Sequence, residues 1–227
     1  VCPICVELKV PTTYWCCVDC PANPEAWKRH APYHKVVRRQ RARSEDGGVA
    51  QQRAREAAEE IARDAAQTGD EYDELMAESA RYASKEDPRR SARACREAIA
   101  LRPDMPTAYY NLGSALISSA HYVEAAQRFL EAKERFRVGS ERWAKATAEA
   151  FVMLTEEVCA EVAKAKPEWW SDEGLKALSA RVARAAPDDL QAIQVRADVL
   201  CGQLDAWEVG PRSAAELREA ATHYERA

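Results

Sequence analysis

The amino-acid sequence predicts a mainly α-helical fold for most of its 227 residues. From residue 71 onward, segments of helical length are separated by prolines and glycines, among them Pro88, Pro103, Gly139 and Pro187. Proline is tolerated in the first turn of a helix but breaks its interior, so this punctuation marks helix boundaries. Neither the two-residue alternation of apolar and polar side chains nor the Asn-Gly turns that indicate β-hairpins occur in the sequence.

Residues 1–34 have a different composition from the rest of the chain. They contain five of the eight cysteines and two of the four histidines. The segment is short, rich in proline and poor in apolar residues, so it cannot bury a core of its own. The sequence shows no secretory signal, which favours metal ligands over disulfides. We therefore expect a bound metal ion to supply most of the stability of this segment.

The spacing of the cysteines and histidines is typical of a structural zinc site. Cys2 and Cys5 form a C-x2-C pair on one tight turn, and His30 and His34 lie one helical turn apart. Between these pairs, Cys20 is matched either with a cysteine four residues earlier or with Cys17, and the spacing leaves both pairings open. A catalytic zinc ion would need an open coordination position and a nearby general acid or base. The sequence places no such acidic residue here.

This segment resembles the second half of a MYND-type zinc finger. The motifs that carry the resemblance are Tyr14-x-Cys16-x3-Cys20 and Trp27-x2-His30-x3-His34. The family spacing implies that Cys16 rather than Cys17 is a zinc ligand. The resemblance therefore implies structural Zn²⁺ bound by six residues, Cys2, Cys5, Cys16, Cys20, His30 and His34.

Two assignments of these ligands follow from the crossed zinc sites of the MYND family. If Cys2 and Cys5 are the family's second pair, they share one zinc ion with the two histidines. If they are its first pair, they share a zinc ion with Cys16 and Cys20. We favour the first assignment because the sequence starts abruptly, with Val rather than Met, just before the first cysteine. The family's upstream pair would then lie before this chain.

Composition divides the remainder into a connecting region and a helical body. Residues 1–43 carry a net charge of +5, while residues 44–227 carry −9. Residues 44–70 are predicted to be a linker with an exposed connecting helix over residues 49–67, because Ile61 is the only large apolar residue in its interior. Residues 71–227 are predicted to form the helical domain.

The helical body contains a sequence repeat with a period of about 34 residues, the length of a tetratricopeptide unit. The pattern Tyr109-x2-Leu112-Gly113-x2-Leu116, followed by Ala125-x3-Phe129-x2-Ala132, resembles a tetratricopeptide repeat. The resemblance implies an α-solenoid of helix pairs in which the large residues of this pattern form the core. The same register, one repeat earlier in the chain, places Ser79 and Cys95 at core positions.

Later repeats are less regular. The register continues at Trp143 and Thr147, after which we expect one long helix to about residue 166. Ile193, Ala197 and Leu200 fit the first helix of a further pair, and Ala220 fits its second helix after an insertion around residues 204–213. The isolated cysteines Cys95, Cys159 and Cys201 are expected to pack as small apolar residues.

The resemblance implies a non-catalytic adaptor that binds other proteins or peptides in the groove of its helical repeats. The groove positions are Met76, Tyr110, Asn111, Ile117 and Lys145. Some tetratricopeptide domains bind the acidic C-terminal tails of chaperones, and the register places Met76, Ala80, Asn111, Glu141 and Lys145 at the matching positions. Glu141 would repel a carboxylate there. We therefore expect an apolar helix or extended peptide as ligand.

Two other functions remain open on the sequence alone. The chain is alternatively a fragment of a larger MYND-containing enzyme, such as a SET-type lysine methyltransferase whose catalytic part lies elsewhere. It is alternatively a nucleic-acid-associated regulator, because residues 35–43 contain five basic and no acidic residues. No catalytic motif is found within this sequence, and no apolar run approaches the ~20 residues of a membrane span. We expect an intracellular protein of the cytoplasm or nucleus.

The zinc assignment predicts separate responses of the two parts to chelation. Removal of zinc should unfold residues 1–34, because structural zinc contributes ~10–16 kcal/mol in small fingers and little core replaces it. The helical body should keep nearly all of its far-ultraviolet circular dichroism signal. Loss of the helical signal together with the zinc ion would show that the two-part organisation is wrong.

Overall fold

A computed structural model describes residues 47–155, 159, 161–162, 171–202, 204 and 210–226. The chain divides into two compact units, residues 1–56 and 57–227, and only residues 47–56 of the first unit are described. All six predicted zinc ligands lie outside the described residues. The domain boundaries at residues 43 and 70 therefore remain predictions.

The described residues form helices and contain no β-strand, which confirms the predicted mainly α-helical class. In chain order, the helices of this described part are α1 (Gly47–Thr68), α2 (Glu71–Ser84), α3 (Pro88–Leu101), α4 (Pro106–Ile117), α5 (Tyr122–Arg135), α6 (Glu141–Thr155), α7 (Asp172–Ala185), α8 (Leu190–Cys201) and α9 (Ala214–Arg226).

Short polar side chains start several of these helices. Asp70 accepts hydrogen bonds from the Tyr72 and Asp73 amides at the start of α2, and Asp87 accepts one from the Arg90 amide at the start of α3. Equivalent caps at later helices are Ser171, which bonds the Gly174 amide, and Asp189, which bonds the Ala192 amide. These bonds satisfy amides that have no partner within the first turn, so the caps define where each helix begins.

α1 covers residues 49–67, which were predicted to form an exposed helix; its connecting role remains a prediction. Most of its described side chains face solvent, and Ile61 is 44% exposed. Two alanines, Ala58 and Ala65, are buried one heptad apart. The prediction of an exposed helix is confirmed, with a narrow buried stripe of alanines that its composition did not indicate.

The remaining helices pack in chain order. α2 packs on α3, α3 on α4, α4 on α5 and α5 on α6. α6 then contacts both α7 and α8, while α7 packs on α8 and α8 on α9. The predicted core residues Tyr109, Leu112, Leu116 and Phe129 are all buried, which confirms their assignment.

α4 and α5 approach each other closely at Gly113. A Cβ atom added to Gly113 would lie 2.8 Å from Cζ of Phe129, a distance that real Cβ contacts do not show. Phe129 is fully buried at this crossing. At the equivalent positions of the preceding helix pair stand Ser79 and Cys95, whose Oγ and Sγ atoms are 3.0 Å apart. A bulkier residue on the first helix is therefore matched by a smaller one on the second.

The turns inside the first two helix pairs have the same backbone structure. In the α2–α3 turn, Glu86 has a φ of 58°, and in the α4–α5 turn, Ala120 has a φ of 59°. These are the only non-glycine residues with positive φ in the described part of the chain, and they occupy equivalent positions in successive repeats. The three amides of residues 85–87 donate to the carbonyls of Tyr82 and Ala83, and those of residues 119–121 donate to Leu116 and Ile117 in the same pattern.

The connections between helix pairs also repeat. The carbonyl of Pro103, between α3 and α4, accepts hydrogen bonds from the Tyr109 hydroxyl at 2.9 Å and from Nε of Arg135 at 3.0 Å. The carbonyl of Pro187, between α7 and α8, accepts one from Nη2 of Arg226 at 3.1 Å. In both cases an arginine near the end of a pair's second helix holds the connection that precedes the pair.

The expected long helix to about residue 166 is wrong. α6 ends at Thr155, and Cys159 lies in a 3₁₀ turn. In the last turn of α6, the Thr155 hydroxyl donates to the Val152 carbonyl at 2.7 Å.

The repeat resumes in α7. This helix buries Leu175, Ser179 and Val182, with the same spacing as the buried residues Ala125, Phe129 and Ala132 of α5. The offset between these two sets exceeds one repeat, so the chain contains an insertion between α6 and α7.

The left-handed residue at the α4–α5 turn predicts a stabilising substitution. Ala120→Gly should raise the free energy of unfolding by about 0.5–1 kcal/mol. Glycine removes the steric cost of the left-handed conformation, roughly 1–2 kcal/mol, but it loses more conformational entropy on folding than alanine does, and this offsets part of the gain. Ala177→Gly, in the exposed middle of α7, is the matched control and should lower it by about 1 kcal/mol. Thermal and denaturant unfolding measure both. Equal destabilisation by the two substitutions would show that residue 120 is not left-handed.

Candidate functional site

The predicted groove residues lie on three helices of the larger unit. Met76 is on α2, Lys145 is on α6, and α4 carries the other three, Tyr110, Asn111 and Ile117. All five side chains are half-buried. On α4 the partial exposure of these side chains follows from the helical period, because Leu112 and Leu116 are buried in the core on the opposite face of the helix.

The ring of Tyr110 packs against the core, and its hydroxyl is affected by the charges of acidic side chains. Its ring packs edge-on against Phe129, with centroids 5.4 Å apart and an interplanar angle of 69°. Burial raises the pKa of Tyr110 to about 12, and the charges of Glu149 and Asp189 act in the same direction. The hydroxyl therefore stays protonated over the physiological pH range.

The two apolar groove residues are only partly available to a ligand. Met76 packs against the buried cluster of Tyr72, Ala98 and Ala108, and Ile117 packs against the cluster around Phe129. Part of the surface of each side chain is therefore buried in the core, and only the remainder is available to a ligand.

Asn111 differs from its apolar neighbours. Its half-exposed side-chain amide forms no hydrogen bond within the part of the chain that the structure describes. An amide in this state can bond the backbone of an extended peptide.

Lys145 is paired within its own helix. Its Nζ lies 2.7 Å from Oε1 of Glu141, one turn earlier on α6. The hydrogen bond between them lowers the pKa of Glu141 and raises the pKa of Lys145, and the charge of Asp189 further raises the latter. The positive charge of Lys145 is therefore already compensated before any ligand binds.

A cleft beside Lys145 contains functional candidates that were not predicted from the sequence. It has a volume of about 280 Å³ and is lined by Glu141, Lys145 and residues 185–189. Asp188 and Asp189 add two carboxylates from the α7–α8 connection. The sequence contains a signal for them, because Pro187-Asp188 repeats the Pro103-Asp104 pair that precedes α4. The insertion between α6 and α7 concealed that register.

The three isolated cysteines differ in how deeply they are buried. Cys95 and Cys159 are buried, as expected, whereas Cys201 is half-buried, with its sulfur 3.2 Å from the Tyr224 hydroxyl. Burial raises the pKa of the Cys95 thiol to about 11, so it is not a nucleophile at neutral pH. Across the described ranges, no three side chains of His, Cys, Asp or Glu are arranged to hold a metal ion.

Comparison with known proteins assigns no family to the chain. A scan against protein-family models gave no match, and a search of the curated proteins gave none either. Among the helices described, none is both long enough and apolar enough to cross a membrane.

Proposed function

We propose that the protein is a non-catalytic interaction scaffold, an α-solenoid of tetratricopeptide-like helix pairs that binds peptides or partner helices. The observation that carries this proposal is the repetition of one turn, with its three hydrogen bonds and its left-handed residue, at Glu86 and again at Ala120. Glu86 and Ala120 are 34 residues apart. This is the repeat length of tetratricopeptide arrays, which are built from paired helices. Such arrays present extended concave surfaces to a partner.

The chemistry of the groove supports an apolar or extended peptide as ligand. Tyr110 and Ile117 offer partly exposed carbon surface on a helix that is fixed by its core residues. Asn111, next to Tyr110 on the same helix, offers amide hydrogen-bonding groups. Rigid side chains with a few directional polar groups are what a peptide-binding surface needs.

The charges near Lys145 disfavour an acidic ligand. Lys145 is paired with Glu141, and the further carboxylates of Asp188 and Asp189 line the adjoining cleft. A C-terminal carboxylate entering here would meet like charges and no uncompensated cation. The proposed scaffold therefore does not bind chaperone tails.

The proposal includes a zinc-stabilised, MYND-like finger in residues 1–43. It is supported by the spacing of the cysteines and histidines in that segment. In this proposal the finger is a second interaction module, joined to the helical repeats through residues 44–70.

A calorimetric titration tests the exclusion of acidic tails. We expect no binding of a twelve-residue acidic peptide with a free C-terminal carboxylate, because Glu141 and the aspartates of the cleft repel it. Glu141→Gln removes one of these carboxylates and should give at most weak affinity for the acidic peptide. Micromolar binding by the unaltered protein that disappears in Asn111→Ala would contradict this part of the proposal.

An array of apolar 15-residue peptides, helical and extended, tests the proposed function directly. We expect peptides that bind with micromolar affinity, and we expect Asn111→Ala and Ile117→Lys each to weaken them about tenfold or more, within the range of a central contact. Glu60→Lys on the exposed face of α1 is the control and should leave affinity unchanged. Absence of binding peptides, or binding unaffected by both groove substitutions, would overturn the proposed function.

A further inference from the structure

α9 buries less of its own surface than the second helices of the earlier pairs. The structure describes every residue of α9, and Ala220 is its one buried residue. α5, the second helix of the α4–α5 pair, buries five residues, among them Phe129 and Leu130. On α9, by contrast, Leu217 is 47% exposed. Apolar side chains of α9 itself therefore contribute little to holding this helix on the rest of the chain.

Ion pairs connect α9 to both preceding helices. Nη2 of Arg196, on α8, lies 2.7 Å from Oε1 of Glu219. Nζ of Lys176, on α7, lies 2.7 Å from Oε1 of Glu216. The Glu219 side chain is 47% exposed, so water competes for its charge. Ion pairs in contact with solvent add little to stability, because solvation of the separated charges nearly offsets their attraction. The attachment of α9 thus depends on contacts that water can replace.

The face of α8 that α9 covers is apolar. Ile193, Ala197 and Leu200 are buried and lie at positions i, i+4 and i+7 of this helix, on one face. Arg196 and Cys201 flank that face, and both contact side chains of α9. The opposite face of α8 packs in the core that it shares with α6 and α7. Departure of α9 would therefore expose an apolar stripe and leave the remaining contacts of α8 in place.

We propose that α9 is an exchangeable cover, which detaches from α8 while the preceding helices stay folded and which a partner's helix of the same chemical pattern can replace. Leu204, which follows α8, is buried in the core of α6, α7 and α8, so the chain is anchored before α9 begins. Local opening of this kind is expected where a helix buries few apolar side chains.

The pattern of α9 defines the partner. It is Glu-x2-Glu-Ala-x3-Tyr, from Glu216 to Tyr224, and it places these four side chains on one side of the helix. An amphipathic helix with this pattern would lie on the apolar stripe of α8 and direct its acids to Lys176 and Arg196. While α9 is closed it occupies that position and so inhibits the binding. This inference concerns a surface other than the groove on α4 and goes beyond the proposed function.

Alkylation of Cys201 by N-ethylmaleimide measures the opening, because its sulfur lies 3.2 Å from the Tyr224 hydroxyl of α9. The full chain is labelled, and peptide mass spectrometry reads each cysteine separately. Glu219→Gln removes the negative charge opposite Arg196 and should speed the labelling of Cys201 about fivefold or more, the factor that loss of one ion pair gives. Circular dichroism should show unchanged helix content.

Two controls distinguish opening of α9 from other effects. Glu97→Gln removes an exposed ion pair within α3, between Arg93 and Glu97, and should change the labelling of Cys201 less than about twofold. Cys95 is fully buried in the first helix pair and should stay unlabelled in every variant.

A synthetic peptide of residues 211–227 represents the partner's helix and is titrated into the full chain by fluorescence anisotropy. It should bind the Glu219→Gln chain more tightly than the unaltered chain. The increase in affinity should equal the increase in Cys201 labelling, because both quantities depend on the fraction of molecules that are open. The peptide that itself carries Glu219→Gln should bind about fivefold more weakly to either chain, since it lacks the ion pair with Arg196.

Equal labelling of Cys201 in the Glu219→Gln and Glu97→Gln chains would overturn the inference. Labelling of Cys95 together with Cys201 would also overturn it, because the whole helical domain would then be unfolding. Peptide binding that Glu219→Gln leaves unchanged, or no binding to either chain, would contradict the exchange of helices. Each of these results leaves the array of apolar peptides to decide the proposed function, because that array is read through substitutions on α4.

Discussion

The contact between Gly113 and Phe129 is the constraint on which the second helix pair depends. With no Cβ at residue 113, the Phe129 ring lies directly on the backbone of α4. That approach positions the ring for its edge-on contact with Tyr110, so one buried contact also orients a residue of the proposed groove. In the first pair, Ser79 stands at the position of Gly113 and Cys95 at the position of Phe129, so a larger residue on the first helix is matched by a smaller one on the second. A small residue on one helix therefore permits a larger one on the other, and the two choices are linked.

The repeating connections extend this local geometry along the chain. Arg135 and Arg226 each return from the end of a pair's second helix to a proline carbonyl in the connection before that pair. The turns inside the first two pairs repeat their hydrogen bonds and their left-handed residue. In the α4–α5 pair both ends are thus fixed by hydrogen bonds to main-chain carbonyls, and the outer face of α4 is left to vary in chemistry. In our proposal, that variation determines the ligand.

The regular part of the fold could be predicted from the sequence, but only part of the candidate site could. Tyr109 and Leu112 were identifiable because helical periodicity and a fixed repeat register agree there. α7 was not, because the insertion before it shifts that register, and its buried Ser179 is not an apolar marker. Asp188 escaped prediction for a related reason, since its place beside Lys145 depends on contacts between α6 and the α7–α8 connection. Sequence spacing does not report the packing of such distant segments.

A double-mutant cycle at the α4–α5 crossing tests the central claim most directly. Gly113→Ser and Phe129→Cys introduce the residues of the first helix pair into the second. We expect the first change to cost about 1–3 kcal/mol by overpacking and the second about 3–5 kcal/mol by loss of the buried ring. Because the smaller side chain makes room for the serine, the double variant should be at least about 1 kcal/mol more stable than the sum of the single changes predicts. Strict additivity in denaturant unfolding would contradict the account.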